Sequence, residues 1–90
     1  MNSFLVVFTL HNADRDYMTV ANHLRNYRMW ARVIENAWIV KTNESASDIR
    51  SLLSTAIHGE GNIAVFKITE TAWASYDINS EVTEWMQRNV

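Results

Sequence analysis

The chain has 90 residues, which is enough for one domain and too few for two, so we expect a single domain over residues 1–90. Hydrophobic residues make up 48% and charged residues 20%, a composition that predicts a packed globular fold. The absence of cysteine excludes disulfides and thiolate metal sites. The net charge of −2 argues against a dedicated nucleic-acid-binding protein, because such proteins usually carry a basic excess.

The sequence shows no convincing targeting signal. The apolar run Phe4–Leu10 is not preceded by a basic segment or followed by a small-residue cleavage site. It is also much shorter than the ~20 residues that a membrane-spanning helix needs. We therefore expect a cytoplasmic protein that makes no membrane contact.

The first two predicted elements are a strand and an amphipathic helix. Phe4–Leu10 is almost continuously apolar, which is typical of a strand that is covered on both faces. Asn12 or Asp14 is placed to cap the following helix by accepting hydrogen bonds from free backbone N–H groups. The apolar residues of this helix recur at steps of three and four and form one stripe: Tyr17, Val20, Ala21, Leu24 and Tyr27.

Two strands follow and form a predicted hairpin. Arg32–Glu35 and Ala37–Thr42 are separated by Asn36, a residue type that tolerates the positive φ of tight hairpins. The second of these strands is the more apolar, so we expect it in the interior of the sheet.

A second helix and a last strand come next. Ser45 and Asp48 have the spacing of a capping box, and Gly59 is a natural left-handed stop. Ile63–Ile68 is the last strand, and its Lys67 indicates a sheet edge, where charge discourages pairing with other chains. The apolar stripe of the second helix consists of Ile49, Leu52, Leu53, Ala56 and Ile57.

A short helix closes the chain. It is predicted to start near Asn79 or Ser80, after a polar and aromatic loop, and its apolar side consists of Val82, Trp85 and Met86. The order of elements predicts the α+β class, as a ferredoxin-like βαββαβ sandwich with a short C-terminal helix. The expected antiparallel sheet order is 4-1-3-2, with the first and third strands in the centre.

No arrangement of residues indicates catalysis or metal binding. The scattered histidines are His11, His23 and His58, and the acidic pairs are Asp14/Asp16 and Glu81/Glu84. No two histidines have the helical spacing of a zinc site. Both acidic pairs lie in predicted first turns, where the helix dipole favours carboxylates. We therefore expect no catalytic residue, no metal and no cofactor.

One basic and aromatic cluster stands out. Arg25, Arg28 and Arg32 lie close in sequence to Trp30, and arginine binds phosphate bidentately while aromatic rings stack on bases. The competing interpretation is a solvated helix end whose arginines complement the helix dipole. If the chain binds nucleic acid, which its overall charge does not favour, these four residues are the candidates.

The chain also has four tryptophans, which is a high number for a small domain. Trp38 and Trp85 have ready core positions in the predicted elements. The core of so small a domain is not expected to bury Trp30 and Trp73 completely. A homodimer would bury the resulting apolar patch most simply. The candidate dimer residues are Trp30, Trp73 and Tyr76.

The order of elements resembles that of the small dimeric endonuclease subunit of CRISPR adaptation complexes. It is more similar still to SinR-family proteins related to that subunit. The segments that carry this resemblance are Phe4–Leu10, Ala37–Thr42, Lys67-Ile68-Thr69 followed by Ala72-Trp73, and Trp85. The resemblance implies a ferredoxin-like fold and a homodimer.

The resemblance also implies where a nuclease would hold its metal. In the nuclease branch, an aspartate near the end of the first strand faces its mate across the dimer axis and holds a divalent cation. The matching position here is Thr9, which is neutral and a poor sole ligand for a hard cation. We therefore expect a non-catalytic homodimeric interaction or scaffold protein with an unknown protein partner. The alternatives are a nucleic-acid-binding module using the arginine cluster and a divergent metal-dependent nuclease using Asp14 or Asp16.

Overall fold

The computed structural model describes all 90 residues and consists of one four-stranded sheet and three helices, which confirms the α+β class. The elements in chain order are β1 (Asn2–Leu10), α1 (Ala13–Arg25), β2 (Met29–Ile34), β3 (Ala37–Thr42), α2 (Ala46–Ala56), β4 (Gly61–Ile68) and α3 (Ser80–Asn89). None of the three helices combines the length and apolarity that crossing a bilayer requires.

The sheet is antiparallel throughout and has the strand order β2-β3-β1-β4, which is 4-1-3-2 when it is counted from the β4 edge. The most apolar strands, β1 and β3, are central, as their composition predicts. Lys67 lies on the edge strand β4, also as predicted.

One face of the sheet packs against α1 and α2, and we call it the covered face. Val6 of β1 pairs with Trp38 of β3, and both are fully buried. Directly paired residues share a face, so this pair defines the side on which the main core lies. The core residues are Phe4, Val6, Phe8, Val20, Ala21, Leu24, Tyr27, Trp38, Val40, Ile49, Leu53 and Ile57.

The start of α2 is capped as its sequence predicts, whereas the start of α1 is not. The Ser45 Oγ accepts a hydrogen bond from the Asp48 N at 3.0 Å, and the Asp48 Oδ2 accepts one from the Ser45 N at 3.1 Å. Asn12 occupies the N-cap of α1, but its side chain makes no capping hydrogen bond. Its Nδ2 instead donates to the Glu60 Oε2 at 3.0 Å, because a long-range partner competes with the local one.

The start of α3 follows the prediction, and the end of α2 does so in part. Gly59 has a left-handed φ of +71°, as predicted, but His58 before it also has a left-handed φ, of +55°. The Gly59 N donates to the Ser54 carbonyl oxygen at 2.9 Å, which is the hydrogen bond of a Schellman motif whose first left-handed residue is His58. Asn79 is the N-cap of α3, and its Oδ1 accepts a hydrogen bond from the Glu81 N at 2.8 Å.

The β2–β3 hairpin differs from the prediction in two ways. β2 begins at Met29, three residues before the predicted start, so Trp30 belongs to the strand. Asn36 does not have a positive φ. The pairing of the two strands shifts register between Arg32 and Ile34, just before this turn. The Asn36 carbonyl oxygen accepts a hydrogen bond from the Phe8 N at 3.1 Å, which ties the turn to β1.

The other face of the sheet, which we call the open face, is only partly covered by α3. The Ser3 Oγ donates a hydrogen bond to the Asn89 carbonyl oxygen at 3.0 Å, which places the end of α3 on this face. Ala31 and Ile39, which pair on this face, are buried, as is Met86 of α3. One helix of 10 residues cannot cover four strands, so part of the open face remains exposed.

Candidate interaction surfaces

An apolar row crosses the open face from one edge of the sheet to the other. Ile34 pairs with Ala37, Ala37 with Val7, and Val7 with Ala64, so the four strands each contribute one side chain. Phe66 lies two residues along β4 on the same face. Ile34 is 56% exposed and Phe66 is 54% exposed. We call these five residues the open-face stripe.

All residues of the open-face stripe except Phe66 line a shallow groove with a volume of about 410 Å³. Its polar lining residues are all neutral, namely Thr9, Asn36 and Asn62, and no charged side chain lines it. A contiguous apolar surface with a neutral polar rim is typical of a protein–protein contact site.

Thr9 lies at the rim of this groove, close to the end of β1. It is exposed, and its Oγ1 donates a hydrogen bond to the Asn62 Oδ1 at 2.9 Å. A neutral threonine–asparagine pair therefore lies at this end of β1.

The carboxylate of Asp16 is held by an arginine. The Arg15 Nε donates to the Asp16 Oδ1 at 2.8 Å, and the Arg15 Nη2 donates to the Asp16 Oδ2 at 2.7 Å and also to Glu60. These hydrogen bonds lower the pKa of Asp16 and of Glu60 below their ordinary values. Asp16 is only 3% exposed. The Arg15–Glu60 contact joins the start of α1 to the connection between α2 and β4.

The remaining acidic and histidine candidates are not gathered into a site. Asp14 is exposed, and His11 precedes α1, His23 lies on it and His58 follows α2. No group of three or more histidine, aspartate or glutamate side chains is arranged to hold a metal ion. The nuclease alternative therefore has one exposed carboxylate and one that is already bound by Arg15.

Three of the four candidate nucleic-acid residues come together on the covered face at the β2 edge. Trp30 and Arg32 pair with core residues of β3, so both point to this side of the sheet. The Trp30 and Trp38 ring centroids are 5.5 Å apart, and the Arg25 guanidinium carbon lies 5.6 Å from the Trp38 ring centroid. The Arg32 guanidinium carbon lies 5.7 Å from the ring centroid of Tyr17.

We call Arg25, Trp30 and Arg32, together with Arg28 in the preceding turn, the arginine ledge. The supporting roles of Trp38 and Tyr17 are not evident in the sequence, where both appear only as core residues. The Glu35 carbonyl oxygen accepts hydrogen bonds from the Tyr17 hydroxyl at 2.7 Å and from the Trp38 Nε1 at 3.1 Å. One backbone carbonyl therefore accepts hydrogen bonds from both rings that make cation–π contacts with the arginines.

The candidate dimer residues are divided between two parts of the molecule. Trp30 lies on the covered side, away from the open-face stripe. Trp73 is half-buried and Tyr76 is 92% exposed, and both lie in the loop between β4 and α3. Sequence reasoning missed the stripe itself, because its members are single apolar residues that only strand register brings into one row.

No protein-family model matches the chain, and no curated protein is significantly similar to it. The functional interpretation therefore depends on the surfaces described above.

Proposed function

We propose that this protein is a non-catalytic homodimeric interaction or scaffold protein. Its fold is of the ferredoxin-like βαββαβ type, related to SinR-family proteins and the CRISPR-adaptation endonuclease subunit. The observation that carries the proposal is the open-face stripe, an apolar row that crosses the sheet, with Ile34 and Phe66 exposed at the two edges and partly buried residues between them. Two copies bury this stripe against each other about a twofold axis.

The chemistry of the stripe favours a second copy of the chain as the occupant. A twofold interface places the same surface on both sides, so like charges within it would repel each other. The groove has no charged lining residue, and the charged groups of this acidic chain lie outside it. Self-association therefore buries apolar area without desolvating a charge.

The size of the stripe indicates that the interface extends beyond it. Three interstrand spacings make the row only about 14 Å wide. A stable interface commonly buries about 800 Å² on each partner, which is more than this row supplies. The loop that follows β4 provides Tyr76 and Trp73, and aromatic residues are enriched in interfaces. The proposed interface is thus the stripe with this loop, and Trp30 is assigned to the arginine ledge.

Two contacts support a non-catalytic role. Thr9 is hydrogen-bonded to Asn62 at the position where the nuclease branch has its metal-binding aspartate. Asp16 is bound by Arg15 through one hydrogen bond on each carboxylate oxygen and is only 3% exposed, so little of that carboxylate is accessible to a cation.

Light scattering coupled to size exclusion, at micromolar concentration, tests the proposal. We expect the wild-type chain to be a dimer and the double variant Ile34→Glu/Phe66→Glu to be a monomer. The matched control is Met18→Glu/Leu52→Glu, which adds the same charge at apolar residues that are also exposed, by 58% and 40%, but lie on α1 and α2. A monomeric wild type, or equal dissociation of the control, would contradict the proposal.

A further inference from the structure

The arginines of the ledge have no ion-pair or hydrogen-bond partner for their side chains within the chain. Both ion pairs in the structure belong to Arg15, and the arginine side-chain hydrogen bonds are made by Arg15 and Arg50. Arg25, Arg28 and Arg32 are exposed. Three guanidinium groups on one edge of the molecule therefore keep all their N–H donors available.

Cation–π contacts hold two of these guanidinium groups without using a hydrogen-bond donor. The guanidinium carbon of Arg25 lies 5.6 Å from the Trp38 ring centroid, and that of Arg32 lies 5.7 Å from the Tyr17 ring centroid. Because both rings are held by one carbonyl, the ledge positions guanidinium groups with unused donors, which are the groups that bind phosphate.

Trp30 adds an aromatic surface between the arginines. Its indole is 38% exposed and is supported on one side by Trp38. Trp30 and Arg32 are two residues apart on the same face of β2, a separation of about 6.6 Å along the strand. A planar group that stacks on Trp30 is thus within reach of the neighbouring guanidinium.

We propose that the arginine ledge binds single-stranded nucleic acid, with phosphates on Arg25, Arg28 and Arg32 and a base stacked on Trp30. Base stacking on an exposed aromatic ring, next to cations that follow the backbone, is the general mode of single-strand binding. A duplex fits less well, because its bases are stacked on one another and cannot reach Trp30. The net charge of −2 predicts weak and salt-sensitive binding.

An acidic peptide added as a strand to the β2 edge is the competing occupant. The register shift between Arg32 and Ile34 weighs against it, because a bulge interrupts the hydrogen-bonding pattern that an added strand would need. The ledge lies on the side of the sheet opposite the open-face stripe, so this inference does not depend on the proposed dimer.

Fluorescence anisotropy with labelled oligothymidylate and oligouridylate tests the inference, with duplex DNA and a poly-glutamate peptide as competitors for the same surface. Three phosphate contacts predict that affinity for a single strand falls about 20-fold between roughly 50 and 200 mM salt. We expect the duplex and the peptide to bind at least about tenfold more weakly than the single strands at the lower salt concentration, since neither can stack on Trp30.

Matched variants separate the ledge from overall charge. Arg25→Gln/Arg32→Gln and the control Arg50→Gln/Arg88→Gln each remove two positive charges, which changes the formal net charge from −2 to −4. We expect the ledge pair to lose at least about tenfold in affinity and the control less than about twofold, because only the former removes charged hydrogen bonds to phosphate. The salt effect should fall to about threefold in the ledge pair.

A further variant tests stacking. Trp30→Ala is expected to weaken single-strand binding by at least about fivefold while leaving the salt dependence unchanged. Circular dichroism shows whether each variant retains the fold. The inference is overturned if the folded wild type does not bind single strands at the lower salt, if both arginine pairs lose affinity equally, or if the duplex or peptide binds as tightly as the single strands.

Discussion

The two faces of the sheet differ in how completely they are buried. On the covered face, α1 and α2 bury Phe4, Val6 and Trp38 to 2% exposure or less. On the open face, Ala31 and Ile39 are buried, but the open-face stripe remains in contact with solvent. The difference indicates that the covered face holds the fold together, whereas the open face is where the chain has apolar surface left for association.

The largest expected effect lies on the covered face and compares two adjacent leucines of α2. Leu53 is fully buried and Leu52 is 40% exposed. Leu53→Ala removes core contacts and leaves a cavity, so we expect it to lower the free energy of unfolding by about 2–5 kcal/mol. Leu52→Ala should cost less than about 1 kcal/mol, because most of its side chain is not packed.

Urea denaturation followed by circular dichroism measures both leucine variants. If Leu52→Ala and Leu53→Ala lowered the free energy of unfolding equally, α2 would not pack on the sheet through the side that carries Leu53.

A smaller effect is expected from the open face, at the helix that partly covers it. Met86 is 7% exposed, and Met86→Ala should lower the free energy of unfolding by about 2 kcal/mol, the low end for a buried methionine. Because α3 lies at the end of the chain, we also expect faster amide hydrogen exchange within α3 than in α2. Gln87→Ala, at the exposed neighbouring position, is the control.

If Met86→Ala destabilised α2 and α3 equally, the two faces would unfold as one unit. The covered face and the open face would then not differ in local stability.

The smallest effect concerns acid stability and the contact between Arg15 and Asp16. The hydrogen bonds from Arg15 lower the pKa of Asp16 below its ordinary value of 3.8. A carboxyl whose folded-state pKa is lowered stabilises the fold above its unfolded-state pKa, and this contribution is lost as the pH falls through the folded-state pKa. Asp16→Asn should therefore reduce stability at neutral pH and flatten its decline below about pH 4.

Urea midpoints measured from neutral to acidic pH check this expectation, with Asp14→Asn as the control at an exposed aspartate of the same helix. The variant and the wild type should converge at the acid end. An unchanged pH profile in Asp16→Asn would show that the contact does not contribute to folding.

Local sequence patterns predicted most of the secondary structure. The capping box of Ser45 and Asp48, the left-handed conformation of Gly59 and the cap at Asn79 all involve residues within a few positions of one another, so the sequence is sufficient to identify them. The failures at Asn12 and Asn36 share one cause. Each is held by a residue distant in the chain, Glu60 and Phe8 respectively, and no local pattern reports such a partner.

The candidate surfaces were predicted only in part. The arginines and Trp30 of the ledge are neighbours in sequence, so their cluster was visible before the structure was known. The sequence did not predict that these residues contact the rings of Trp38 and Tyr17, because the contacts join different elements. The register of the strands was needed to show that Trp30 points away from the open-face stripe.

The sequence by itself determined the α+β class, the N-terminal caps of α2 and α3 and the choice of β1 and β3 as central strands. Each of these depends on periodicity or on contacts between near neighbours. Only the tertiary structure decided which apolar residues remain exposed. Val7, Ile34, Ala37 and Ala64 form a row because four strands from distant parts of the chain pair in one register, and a shift of one residue would turn such side chains to the other face.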